Sequence, residues 1–115
     1  MSIQRHHTNS RMSMVVVHNG VVYLAGQVGN ETTTSVKGQT EEALKKIDGL
    51  LAEAVTDKSR ILSTTIWLSD ISTFDKMNEA WDAWVDSRNT PARATGESKL
   101  ASKSYLVEIM VTAAL

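Results

Sequence analysis

Met14–His18 is a run of apolar, β-branched residues, Val21–Ala25 is a second, and Asn19-Gly20 stands between them. Two β-rich runs joined by Asn-Gly predict a hairpin, because a tight primed turn needs left-handed backbone that Asn and Gly tolerate. Gly26 ends the second strand, the kind of position where backbone approaches a neighbour closely. Gly29–Ser35 is a polar loop. From Val36 to about Val55 the apolar residues Leu44, Ile47, Leu51 and Ala54 recur at helical spacing, with Glu41, Glu42, Lys45, Lys46 and Glu53 largely elsewhere. Arg60–Ser69 is β-branched with one aromatic and predicts a strand. Leu62, Ile66 and Leu68 are expected on one face, and Ser63, Thr65 and Trp67 on the other. Ser72 has the character of a helix N-cap, with Asp75 three residues on. Phe74, Met77, Trp81 and Trp84 form the stripe of a second helix ending near Val85, and Asp86–Thr90 is polar loop. Ala92–Lys99 and Tyr105–Ala113 predict two last strands joined by a turn at Leu100–Ser104.

The element order is therefore β-β-α-β-α-β-β, an α+β fold with two helices on one face of a mixed sheet. In the last strand Val107, Ile109 and Val111 point one way, and Leu106, Glu108, Met110 and Thr112 the other. The face away from the helices still carries Leu106, Met110, Trp67 and either Val16 or Val17. An apolar patch of that kind predicts burial against further subunits in closed cyclic symmetry.

Composition narrows the class. The 115 residues form a single domain, 1–115, with 42% hydrophobic and 22% charged residues. Twelve basic and 13 acidic residues leave a formal charge of -1, and no Lys/Arg run invites nucleic acid or an anionic membrane. The absence of cysteine excludes disulfides, thiolate catalysis and Cys-based zinc sites. No segment has the pattern of a signal peptide or a membrane span, so a cytoplasmic protein is expected. No repeat, low-complexity stretch or phosphate-loop motif occurs.

Two residues stand out chemically. Arg93 follows Thr90-Pro91-Ala92, where loop becomes strand, and an arginine held there can grip a carboxylate with two parallel hydrogen bonds. Glu108 is a carboxylate on a partly apolar sheet face, placed to hold or activate a water. Each also has a plainer role open to it: an ion pair for Arg93, a guard against edge aggregation for Glu108. His6, His7 and His18 lack same-face spacing with an acidic partner, so no metal site is expected. Trp81 and Trp84 read as core, and Trp67 as a residue of a subunit interface.

Leu24-Ala25-Gly26-Gln27-Val28, the helix Gln39–Ala54, Trp67-Leu68-Ser69-Asp70, Phe74 with Met77-Asn78, Thr90-Pro91-Ala92-Arg93-Ala94 and Leu106-Val107-Glu108-Ile109 occur in that order. As a set they resemble the RidA/YjgF superfamily of reactive-intermediate deaminases, over about Met14 to Ala114. The resemblance implies a chorismate-mutase-like fold, and a homotrimer with active sites between subunits. It implies hydrolysis of amino-acid-derived enamines and imines to 2-oxo acids and ammonia, with no metal or organic cofactor. By the same resemblance Arg93 holds the substrate carboxylate and Glu108 positions the attacking water. Asn78 and Gly26 line the cleft.

The sequence departs from that family at identifiable places. Met12, with Arg11 and Ser13 beside it, stands where many members carry a tyrosine before the first strand, and counts with Arg93, Asn78 and Gly26 among the substrate-binding positions. Ala25 replaces a common serine, and Leu100-Ala101 a common Leu-Pro. An imine carbon is already electrophilic, so orientation and a placed water suffice for hydrolysis without cysteine, metal or triad. A trimer that binds a 2-oxo acid without turning it over is the alternative. A nucleic-acid-processing role, attached to the family's name, fits the near-neutral charge least.

Overall fold

The computed structural model describes residues 2–115. The chain runs β1 (Gln4–Thr8), β2 (Ser13–His18), β3 (Val21–Leu24), β4 (Gln27–Val28), α1 (Val36–Glu53), β5 (Ile61–Leu68), α2 (Phe74–Trp84), β6 (Ala92–Glu97) and β7 (Val107–Ala114). The strands make one sheet in the order β1-β2-β3-β7-β5-β6, with β4 also pairing to β7. Among the described residues β5 and β6, joined through α2, make the one parallel pair, and the other pairs are antiparallel. Both helices lie on one face of this mixed sheet, as the apolar periodicity requires. Among the described residues no helix is long and apolar enough to cross a membrane.

Local chemistry explains the elements. Asn19 and Gly20 both have positive φ, 53° and 75°, which makes the β2–β3 turn the primed type that matches strand twist. The Ser35 side chain accepts from the Gly38 N–H and starts α1. Leu44, Ile47 and Leu51 of α1 then pack with Met77 and Trp81 of α2 onto Val15, Val22, Ile66, Leu68, Ile109 and Val111 of the sheet.

Four details differ from the sequence expectations. Two strands are additional. β1 is polar and mostly exposed, so it pairs with β2 through its backbone and shows no apolar alternation. β4 is only two residues long. The β5 pattern is broken by a register shift between Ile61 and Ser63, which places Leu62 at a bulge. Leu62 is therefore exposed, and Ile61, Thr64, Ile66 and Leu68 are the buried set. Finally, Ser72 is not the cap of α2: its N–H and hydroxyl both donate to Asp70, which opens a short turn ahead of the helix, and Thr73 is the capping position.

The outer face carries Val16 rather than Val17, which is buried. Tyr23, Leu62, Trp67 and Met110 are 37–50% exposed. This apolar surface on one side of a two-layer fold is the kind that further subunits cover.

Candidate active site

Arg93 pairs in register with Thr64, which is buried on the helix side of the sheet. Register partners share a face, so the guanidinium rises on the helix side, at the sheet's β6 edge. There it meets α2. Its Nη1 donates to Asn78 Oδ1 at 2.8 Å, and its carbon lies 5.2 Å from the Trp81 ring centroid and 5.7 Å from that of Phe74. Phe74, Asn78 and Trp81 fall at i, i+4 and i+7, one helical face, so a single stripe makes the cradle. No carboxylate of the same chain pairs with Arg93 among the described residues. A half-buried cation held by two rings and one amide keeps its remaining donors for an anion.

The edge supplies a further donor. Ser98 N–H, just beyond β6, donates to Leu68 O on β5. Backbone direction alternates along a strand, so the Arg93, Thr95 and Glu97 amides point away from β5. As β6 ends the sheet, those amides face the open edge.

Glu108 stands on the other face. Its register partner on β5 is Trp67, and on β4 it is Val28. Its side chain leans over Gly26: a β-carbon there would fall onto the carboxylate oxygen, with Glu108 Cδ only 3.0 Å away. The close approach expected of Gly26 is thus to Glu108. No side chain donates to the Glu108 carboxylate among the described residues, so its lone pairs are open.

Within one chain the predicted residues fall into two groups. Gly26 and Glu108 are together; Asn78 and Arg93 are together. The two groups occupy opposite faces. Their rows on β5, Thr64 and Trp67, are three residues apart, which is about 10 Å along the strand. Met12 is 44% exposed in the β1–β2 turn, which Asn9 closes by hydrogen bonds with Met12. It lies near β2, four strand spacings from β6, roughly 19 Å. Two surface cavities, of about 390 and 440 Å³, are lined by neither Arg93 nor Glu108.

The remaining candidates are structural. His7 contacts Glu53 at 2.6 Å, and His18 lies 3.4 Å from the Ser2 carbonyl. Trp84 donates its indole N–H to Asp48. The carboxyls held below their ordinary range lie outside both groups: Asp57, Asp70 and Asp86 in turns closed by Ser59, Ser72 and Asn89, and Glu42 beside Asn30. Sequence reading missed the aromatic cradle and the edge amides. The cradle had a signal, since Asn78 interrupts an otherwise apolar stripe between Phe74 and Trp81.

An α+β protein with a free arginine at an edge strand and a free carboxylate on the opposite sheet face is a recognisable class. Residues 2–115 match the model of the endoribonuclease L-PSP family, and the chain belongs to this family, the RidA/YjgF superfamily. A YjgF-family structure from Neisseria meningitidis superimposes with a TM-score of 0.96 at 40% identity, covering 99% of this chain and 95% of that one. A RutC family protein of Haemophilus ducreyi is 42% identical over 113 residues, 98% of this chain and 97% of its own length. The 2-iminobutanoate/2-iminopropanoate deaminase of Homo sapiens is 29% identical over 107 residues, 88% of this chain and 77% of its own length.

Proposed function

We propose that this protein hydrolyses enamine and imine intermediates derived from amino acids to 2-oxo acids and ammonia, in a homotrimer whose active sites lie between subunits. The observation that carries this reading is the split of the site. Arg93 and Asn78 form a carboxylate-binding half on one face. Gly26 and Glu108 form a water-holding half on the other, too far away to serve the same small molecule. Closed symmetry joins one half of each copy to the other half of its neighbour. The exposed apolar groups of the outer sheet face, Tyr23, Leu62 and Met110, give such an assembly its contact surface. The name of the human relative supports the reaction class.

The chemistry follows from the two halves. The free guanidinium nitrogens of Arg93 and the edge amide of Thr95 bind the substrate carboxylate and fix the imine beside it. Glu108 of the neighbouring copy accepts a proton from water as the oxygen adds to the imine carbon. The imine nitrogen takes up that proton to give a carbinolamine; Glu108 then accepts the carbinolamine's hydroxyl proton as the C=O bond forms and passes it to the nitrogen as the C–N bond breaks. One water is consumed, and one 2-oxo acid and one ammonia leave. No metal or organic cofactor has a part in this scheme.

The test uses imino acids made in situ by an amino-acid oxidase, with semicarbazide as the competing trap. The wild type is expected to suppress trapping, and Arg93→Ala and Glu108→Gln to fail. Mixed assemblies of the two variants should regain activity, because some interfaces then carry both native residues. No recovery on mixing would refute the shared site. Saturable 2-oxo-acid binding with no turnover would instead define a metabolite-binding trimer.

A further inference from the structure

Glu108 and Trp67 are register partners on adjacent antiparallel strands, so they project side by side from the outer face, with β-carbons roughly 5 Å apart. Their side chains lean in opposite directions. Glu108 reaches over Gly26, and the Trp67 indole leans over Gly96, where an added β-carbon would stand 3.2 Å from its Cζ3. Two glycines, Gly26 between β3 and β4 and Gly96 on β6, therefore let carboxylate and indole diverge. The carboxylate and the indole flank the outer face of β7 and β5 from opposite sides. Trp67 is 37% exposed, and its indole N–H has no partner among the described residues, unlike that of Trp84. Across the assembly the carboxylate anchor has its own aromatic wall, since Phe74 beside Arg93 is 36% exposed.

We propose that Trp67 is the specificity-determining residue of the Glu108 half-site, and that the preferred substrates are imino acids bearing a planar, apolar side chain. This rests on the hydrolytic reading above. A substrate whose imine carbon is presented to a water on Glu108 has its side chain beside the carboxylate. There the indole offers a flat apolar face and a single N–H donor. A methyl group covers little of that face; a phenyl ring stacks on it. No acidic group pairs with Arg93 or lies on the indole side of Glu108 in the strand register, so a cationic side chain gains nothing comparable.

The test is calorimetric titration with phenylpyruvate and pyruvate, alongside turnover of the imines of phenylalanine and alanine. Wild type is expected to bind phenylpyruvate roughly tenfold or more tightly than pyruvate, with the same order in kcat/KM. Trp67→Ala should bring the two ligands within about threefold by weakening phenylpyruvate alone. Trp67→Phe, which keeps a ring and guards against misfolding, should retain most of the preference. Gly96→Ala should shift the preference by displacing the indole without touching substrate. Equal affinity for the two ligands in the wild type, binding of neither, or a preference that survives in Trp67→Ala overturns the proposal. Phenylpyruvate selectivity that depends on Trp67 but comes without turnover of any imine would sustain the proposal and overturn the hydrolytic function. Turnover favouring the alanine imine would do the reverse.

Discussion

Arg93 donates from one guanidinium nitrogen to Asn78 Oδ1 at 2.8 Å, and its other nitrogens have no hydrogen-bond partner among the described residues. The bond fixes the plane of the guanidinium, so in the proposed function Asn78 positions the carboxylate anchor. Asn78→Ala removes one hydrogen bond to a charged group and leaves the rings in place. The expected outcome is a roughly tenfold rise in KM, with kcat changed much less. Asn78→Asp should be worse than Asn78→Ala, because a carboxylate there competes with substrate for the guanidinium. Steady-state imine hydrolysis checks both, and an unchanged KM in Asn78→Ala would count against the positioning role.

Gly26 and Glu108 make a second testable pair. A methyl at position 26 occupies the space of the carboxylate, but that group ends a flexible side chain that can turn away at little cost to folding. Gly26→Ala is thus expected to fold with nearly native stability and bind 2-oxo acids through Arg93. Its kcat should fall by roughly a hundredfold, as when general-base assistance is lost. Turnover and calorimetric affinity, measured on one preparation, separate the two halves. A loss of affinity as large as the loss of kcat would place Gly26 in carboxylate binding instead.

What the sequence made legible follows from which contacts are local. Asn19-Gly20 fixes its own turn, and the Leu44–Ile47–Leu51 period fixes the buried face of its helix. Strand parity likewise put Glu108 opposite Val107 and Ile109. The segment Gln4–Thr8 was illegible because an exposed, polar edge strand owes its pairing to the neighbouring backbone, not to its side chains. Leu62 misled because a bulge reverses parity without a local signal. Arg93 was conspicuous by type and place, but its cradle depends on how α2 lies across β6. The opposite facing of Arg93 and Glu108 depends on the strand order, which periodicity does not encode.

Acid should loosen a defined loop first. The Glu42 carboxyl is held below its ordinary value of 4.5, chiefly by the Asn30 N–H and then by the Thr33 hydroxyl, with Lys46 adding attraction and desolvation opposing. A carboxyl more acidic in the folded than in the unfolded chain stabilises fully above its ordinary value and progressively less as pH falls through its lowered one. The expected Tm is therefore level from pH 7 to about 5 and declines below that. Asp57, Asp70 and Asp86 push the same way. Hydrogen exchange isolates Glu42: amides 30–33 should lose protection on acidification, and Glu42→Gln should show that loss already at pH 7. Protection in this loop that is unaltered by Glu42→Gln would refute the assignment.

The end of α1 carries an avoidable strain. Val55 has φ of 62° and is 87% exposed. Its N–H donates to Ala52 O and the Thr56 N–H to Leu51 O, each at 3.0 Å, which is the paired closure that usually employs glycine at this position. A β-branched residue there suffers the clash between β-carbon and carbonyl that disfavours left-handed backbone, worth about 1–2 kcal/mol. Glycine relieves it but loses more chain entropy on folding, roughly 0.5–1 kcal/mol. The balance predicts that Val55→Gly stabilises by about 0.5–1 kcal/mol, a rise in Tm of a few degrees. Val55→Ala removes the branching but keeps the β-carbon, and should gain less. The melts must be compared at equal protein concentration, since association raises Tm by mass action. If Val55→Gly melts no higher than wild type, the strain at position 55 is smaller than the entropy that glycine loses, and the assignment fails.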